Sequence, residues 1–263
     1  MKGDGARPSA LASWNEIERR LDGRQPAVFL DYDGTLAPLA ARPELATLPE
    51  ATRETLRRLA GRYPVGVLSG RGCGDVAARV GLDDLIYAGS HGFEIAGPAL
   101  RHEVGEGLPA VVERAAARLR EHLAGLPGVL VEPKRFAISV HYRLAEEASD
   151  LPRIEAAVDA VLAEHPELRK GLGKKLFELR PTLDWDKGKA LLWVLEALHL
   201  DRAATLPLYL GDDLTDEDAF RAVNRTGIGI LVAEEPRATA AAYSLRDPEE
   251  VRTFLEKLAT AAA

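Results

Sequence analysis

A single cysteine, Cys73, in 263 residues excludes an internal disulfide framework and a metal site made of several thiolates from one chain. No apolar run approaches the ~20 residues that a membrane-spanning helix needs. The opening stretch, Met1 to Ala12, is polar and lacks a signal-peptide apolar core, so the expected setting is the reducing cytoplasm. Basic residues are in the minority. The 34 Lys and Arg against 41 Asp and Glu leave a formal net charge of -7. That deficit argues against a nucleic-acid binder or an anionic-membrane binder, each of which needs a basic face, but leaves room for a local basic pocket around a small anion. Internal repeats are missing, and low-complexity sequence is confined to the Ala-rich tail. What remains is ordinary for a globular protein, with 46% apolar and 29% charged residues. The length suffices for one large domain or two small ones.

Short apolar runs organise the chain. Ala27-Val28-Phe29-Leu30 ends in Asp31-Tyr32-Asp33-Gly34, Val65-Gly66-Val67-Leu68 in Ser69-Gly70-Arg71, and Leu85-Ile86-Tyr87-Ala88 in Gly89-Ser90-His91-Gly92. Leu208-Tyr209-Leu210 runs into Gly211-Asp212-Asp213, and Ile228 to Val232 is a further run. Continuous runs of this length fit strands buried on both faces of a parallel sheet. Helical patterns at 14–21, 50–61, 75–80 and 187–200, and from Pro248, alternate with them. Residues 1–105 and 183–263 therefore read as a doubly wound parallel α/β core. Residues 106–182 differ: helix at 108–124, strands at 129–132 and 136–143, helix at 151–165, strand at 175–179. Ile138, Val140 and Tyr142 alternate with Ser139, His141 and Arg143, the period of a half-exposed strand. The simplest account is an α+β insertion into a split core.

In open α/β sheets, ligands sit beyond the carboxyl ends of the strands. Three runs deliver reactive groups there: Asp31 and Asp33, then Ser69 and Arg71, then Asp212 and Asp213. Carboxylates gathered at one edge repel one another. A hard divalent cation such as Mg²⁺ takes oxygen ligands, compensates them, and can hold a phosphate among them.

Asp31-Tyr32-Asp33-Gly34-Thr35-Leu36, Ser69, Lys187 and Gly211-Asp212-Asp213, in that order, resemble the motifs of the haloacid dehalogenase superfamily. Narrower matches are Gly211-Asp212-Asp213-Leu214-Thr215-Asp216-Glu217-Asp218, Gly89-Ser90-His91-Gly92-Phe93-Glu94, Glu132-Pro133-Lys134, His141-Tyr142-Arg143, Glu178-Leu179-Arg180-Pro181 and Trp185-Asp186-Lys187-Gly188. Together they resemble the trehalose-6-phosphate phosphatase family, over nearly all of Ala27 to about Val232. The resemblance implies a Rossmann-like haloacid dehalogenase core with a type-two cap inserted at 106–182. It also implies hydrolysis of trehalose 6-phosphate with Mg²⁺. In that reading Asp31 is the nucleophile, and Asp33 protonates the leaving oxygen and later deprotonates water. An ordinary aspartate, with a reference pKa of about 3.9, is ionised at neutral pH and needs no activating base. Asp33 must have its neutral form available, through a raised pKa or a proton taken from the substrate. Ser69 and Lys187 hold phosphoryl oxygens, and the backbone N–H groups of Gly34 and Thr35 add donors. Asp31, the Asp33 carbonyl and Asp212 hold the metal, with Asp213 or Asp216 completing the shell. Glu132, Lys134, Arg143, Lys174 and Glu178 line the sugar side, with His91 and Arg71 as further substrate contacts. The implied partner is a small sugar phosphate, with no nucleic acid or membrane. A trehalose-phosphate synthase is the one protein partner raised, and a monomer is the expected state.

Blander roles compete at several positions. Lysine in the first turn of a helix opposes the helix dipole, so an anion ligand explains Lys187 better than solvation does. Asp216, Glu217 and Asp218 also suit a helix start. Arg71 is divided between an anion and Asp75, and His141 between cap surface and substrate. Cys73 reads as inert, and Trp185 and Trp193 as packing residues. Competing functions are a sucrose-phosphate or mannosyl-3-phosphoglycerate phosphatase, a phosphomutase and a non-catalytic sugar-phosphate sensor.

Overall fold

The structure is a computed structural model that describes residues 6–40, 42–145, 150–173, 175–201 and 203–261. The chain divides into two compact units, residues 1–102 with 185–263, and residues 103–184.

In the first unit the elements run α1 (Trp14–Leu21), β1 (Gln25–Leu30), α2 (Glu50–Ala60), β2 (Val65–Leu68), α3 (Cys73–Val80), β3 (Ile86–Gly89), β4 (Glu94–Gly97) and β5 (Leu100–Glu103). In the second unit follow α4 (Leu108–His122), β6 (Leu130–Pro133), β7 (Ile138–His141), α5 (Asp150–Glu164), β8 (Leu168–Gly173) and β9 (Leu176–Pro181). The first unit resumes with α6 (Lys187–Ala197), β10 (Thr205–Gly211), α7 (Asp216–Val223), β11 (Ile228–Val232), β12 (Tyr243–Leu245) and α8 (Pro248–Thr260).

Eight strands of the first unit form one sheet in the order β12-β11-β10-β1-β2-β3-β4-β5. The pairs from β12 to β3 are parallel, and β4 joins antiparallel to β3. Strand order reverses at β1, with β2 and β3 on one side and β10 to β12 on the other. This is the topological switch point where α/β folds bind ligands. The five strands at the centre are buried along almost their whole length. Residues alternate between two apolar layers. Val28, Leu30, Leu208 and Leu210 pack towards α1, α2 and α8. Phe29, Leu68, Tyr209 and Ile86 pack towards α6 and α7. This is the pattern of a sheet covered on both faces.

The second unit is a four-stranded antiparallel sheet, order β6-β7-β9-β8, with α4 and α5 on one face. Ile138, Val140, Phe177 and Leu179 fill that face against Val112, Leu119, Ile154 and Val158. Two features depart from the sequence reading. The β4–β5 hairpin and strand β8 form where no strand was expected. Strand β8, Leu-Arg-Lys-Gly-Leu-Gly, has two glycines and no β-branched residue, so its propensity is poor. Register with β9 from Leu168↔Pro181 to Gly173↔Leu176 supplies what local preference does not.

Candidate active site

Strand β1 ends at Leu30, and the next residue still follows its neighbour: the Asp31 N–H donates to the Leu210 carbonyl (2.8 Å). The Asp31 side chain is buried at the switch point. Lys187 opens α6 with its side chain only 2% exposed, and its Nζ donates to Asp31 Oδ1 (2.9 Å) and Asp216 Oδ1 (2.7 Å). Asp186 fixes that first turn as the N-cap, its carboxylate accepting from the Lys189 N–H (2.8 Å). Asp216, the first residue of α7, is fully buried and also accepts from the Tyr209 hydroxyl (2.6 Å) and the Asp213 N–H (2.9 Å). Carboxylate oxygens of Asp31, Asp212 and Asp216 lie within 4.8 Å of one another.

Two glycines make room for this cluster. Gly34 has φ +81°, and a Cβ there would meet Asp212 Oδ2 at 2.2 Å. A Cβ on Gly211 would meet the Asp216 carboxylate carbon at 2.3 Å. The Gly34 N–H donates to the Ala37 carbonyl (2.8 Å), so this glycine admits Asp212 and is not the spare donor expected from sequence. Asp213 is exposed, and its carboxylate accepts from the Leu214 N–H (2.6 Å), so Asp216 rather than Asp213 joins the carboxylate group.

The electrostatics of the cluster are unbalanced. Burial pushes the Asp31 carboxyl well above the usual carboxylate range; Lys187 opposes this, and Asp216 and Asp212 add to it. Burial, then Asp216, pushes Asp212 up to about 6. Burial works against the charge of Lys187, but Asp31 and Asp216 outweigh it and raise its pKa. At position 31 burial and the two neighbouring carboxylates thus work against the charged form, and Lys187 works for it. Three carboxylates face one ammonium, and every donor in the group is a hard oxygen. That set fits a divalent cation of the Mg²⁺ kind.

Asp33 points elsewhere. Both of its oxygens accept from Arg71, Oδ2 from Nε and Oδ1 from Nη2, each at 2.7 Å. Arg71 also donates to Asp75 (3.1 Å). Ser69 is buried; its Oγ accepts from the Arg71 N–H (3.2 Å) and its carbonyl from the His91 N–H (2.9 Å). The His91 imidazole lies against Gly70.

The second unit carries its polar residues on the sheet face away from α4 and α5. Glu132, Ser139 and Glu178 stand in register across β6, β7 and β9. His141 Nε2 and Glu132 Oε2 are 2.8 Å apart, and Arg180 Nε donates to Glu178 (2.6 Å). Lys134 and Arg143 are exposed just beyond β6 and β7. Lys174 lies outside the described residues.

Three contributors were not singled out from the sequence. Tyr209 braces Asp216, and a tyrosine inside an otherwise apolar buried strand, whose hydroxyl must find a partner, was the available signal. Arg237 donates to the carbonyls of Asp212 (3.1 Å) and Asp213 (3.2 Å) and to Glu217 (2.9 Å), holding the loop after β10. Its Glu-Glu-Pro-Arg context gives no hint of this. Ser139 is fully buried, and its Oγ has no hydrogen-bond partner among the described residues.

An aspartate at the switch point, a buried lysine bridging two carboxylates and an α+β insertion after β5 define the class: the fold is that of the haloacid dehalogenase superfamily. The model of the trehalose-phosphatase family matches residues 29–249, and the chain belongs to that family. It is 47% identical over 246 residues to a trehalose-phosphate phosphatase of Mycobacterium tuberculosis, covering 91% of this chain. It spans only 62% of that relative's length. It is 41% identical over 271 residues to a probable trehalose-phosphate phosphatase of Oryza sativa subsp. japonica, covering 95% of this chain and 74% of the relative. Among solved structures, a trehalose-6-phosphate phosphatase of Aspergillus fumigatus superposes with a TM-score of 0.72 at 25% identity, covering 98% of this chain and all of that one. Among the described residues, no helix is long and apolar enough to cross a membrane.

Proposed function

We propose that this chain hydrolyses trehalose 6-phosphate to trehalose and phosphate through a phosphorylated Asp31. The observation that carries the reading is the buried Asp31–Lys187–Asp216 bridge beside Asp212 at the switch point. Family membership supports the substrate. Lys187 engages Asp31 Oδ1, which leaves Oδ2 to attack phosphorus. The P–O bond to the sugar breaks as the aspartyl-phosphate forms, and Asp33 serves the leaving oxygen with its proton. Water then attacks the phosphorus, Asp33 takes its proton, and the P–O bond to Asp31 breaks, restoring the carboxylate and releasing phosphate. Lys187 and Ser69 hold phosphoryl oxygens during both transfers. Asp31, Asp212 and Asp216, with the Asp33 carbonyl, would hold a Mg²⁺ ion, which neutralises phosphate charge among the carboxylates when bound.

Sugar recognition falls to Glu132, Lys134, Arg143, Lys174 and Glu178, with His91. Trehalose is neutral and rich in hydroxyls, so a site of paired donors and acceptors selects it better than an apolar surface does. The setting is the cytoplasm, in keeping with the lone buried Cys73 thiol. The substrate would come from a trehalose-phosphate synthase. The test is phosphate release from trehalose 6-phosphate, sucrose 6-phosphate and mannosyl-3-phosphoglycerate, with and without a chelator. Release from the first alone, abolished by chelation and restored by Mg²⁺, is expected. Equal release from all three contradicts the substrate assignment, and chelator-resistant release contradicts the metal.

A further inference from the structure

Arg71 entered as a candidate substrate contact, but its guanidinium faces Asp33. The two parallel hydrogen bonds, both 2.7 Å, form a fork-to-fork pair that fixes the plane of the carboxylate as well as its position. The fork is itself held from other sides. Nη1 donates to Asp75 (3.1 Å), one turn along on α3, and the guanidinium carbon lies over the Tyr32 ring, 5.4 Å from its centroid. Asp75 is held in turn by Arg79 Nε (3.0 and 3.1 Å), and Arg79 reaches the Ala46 carbonyl (2.9 Å). The Arg71 side chain is 10% exposed, whereas that of Asp33 is 34% exposed. The burial and the extra partners thus lie on the arginine side, and the carboxylate is the open end of the chain Arg79–Asp75–Arg71–Asp33. A residue built to receive the substrate's phosphate would keep its donors for the substrate. Here all three guanidinium nitrogens are already directed to protein carboxylates.

We propose that Arg71 is a positioning residue that sets, through its fork, the orientation from which Asp33 exchanges protons with the leaving sugar oxygen and the attacking water. This rests on the phosphatase reading above and adds a residue to it. Asp75 and Arg79 act one and two steps further out.

The experiment compares two leaving groups. A sugar alkoxide needs a proton as it departs, and a p-nitrophenolate does not. Attack of water on the aspartyl-phosphate is common to both, so the comparison is read on release of the alcohol in a single turnover, where loss of Asp33 alignment penalises only the sugar. Arg71→Met is expected to slow single-turnover release of trehalose on the order of 10²-fold, with KM changed by less than about threefold and single-turnover release of p-nitrophenol slowed by less than about fivefold. Arg71→Lys is expected to recover only part of the loss, because an ammonium cannot bridge both oxygens. Asp75→Ala touches neither Asp33 nor the substrate, and is expected to show the same leaving-group bias at about fivefold on the sugar phosphate. It carries the test if Arg71→Met does not fold. A parallel rise of KM on both substrates would make Arg71 a phosphate clamp and overturn the proposal. Equal slowing of single-turnover trehalose and p-nitrophenol release, or full activity of Arg71→Lys, would overturn it as well. If the wild-type chain releases phosphate only from another sugar phosphate, the trehalose assignment fails alone and the same comparison is made with that sugar. A wild-type chain inert on every phosphate monoester overturns both.

Discussion

The two units place their charges under opposite conditions. In the first unit Asp31, Lys187 and Asp216 are all buried, and each is tied to at least one other charged group. In the second unit Glu132, Lys134 and Arg143 are exposed, and among the described residues Glu132 pairs with His141. Removing charges from water is costly, and an arrangement like the first persists only with close partners. On the proposed function, Asp31, Ser69 and Lys187, assigned to phosphoryl transfer, are buried and tied to partners, and of the groups assigned to the sugar Glu132, Lys134 and Arg143 are exposed and Glu178 is not.

Substitutions should separate the two regions by size of effect. Asp31→Asn should lower turnover by about 10⁴-fold or more on every phosphate monoester, with an unchanged circular dichroism spectrum. Residual activity near wild type would remove Asp31 from the mechanism. Lys187→Ala should cost activity and about 3–5 kcal/mol in denaturant unfolding, because it strands Asp31 and Asp216 without their shared cation. Unaltered stability would mean that the carboxylates find another partner. Glu178→Ala and Lys134→Ala should each slow trehalose 6-phosphate hydrolysis roughly 10–100-fold while sparing p-nitrophenyl phosphate. Equal losses on the two substrates would erase the division of labour between the units. The exposed pair Arg118–Glu164 on α4 and α5 marks the lower end: breaking it with Arg118→Ala should change stability by less than ~1 kcal/mol, read from the denaturation midpoint.

Much of this architecture was readable in the sequence, for reasons that also explain the gaps. The apolar runs of β1, β2, β3, β10 and β11 are central, parallel and covered on both faces, so burial writes itself into consecutive residues. Helix α1 emerged at its true bounds, Trp14–Leu21, because Ile17 and Leu21 are its buried face. Strand β8 left no such trace, since its stability comes from register with β9 rather than from its own residues. At the site, Asp31, Lys187 and Asp212 were conspicuous as charges placed where a strand or helix would not otherwise want them. Asp216 was ambiguous because an acid at a helix start has a structural use as well. The Arg71–Asp33 fork joins residues 38 apart in sequence, and nothing local distinguishes it from the competing pair with Asp75 four residues away. The raised pKa of Asp31 was also out of reach, because it arises from burial among neighbours that only the fold assembles.

Acid quenching during turnover of substrate labelled with radioactive phosphate, followed by proteolysis and peptide identification, addresses the nucleophile directly. The expected result is label on the peptide that contains Asp31, released by hydroxylamine and absent from Asp31→Asn. Label on another peptide, or brisk hydrolysis with no labelled protein at any time point, would contradict it.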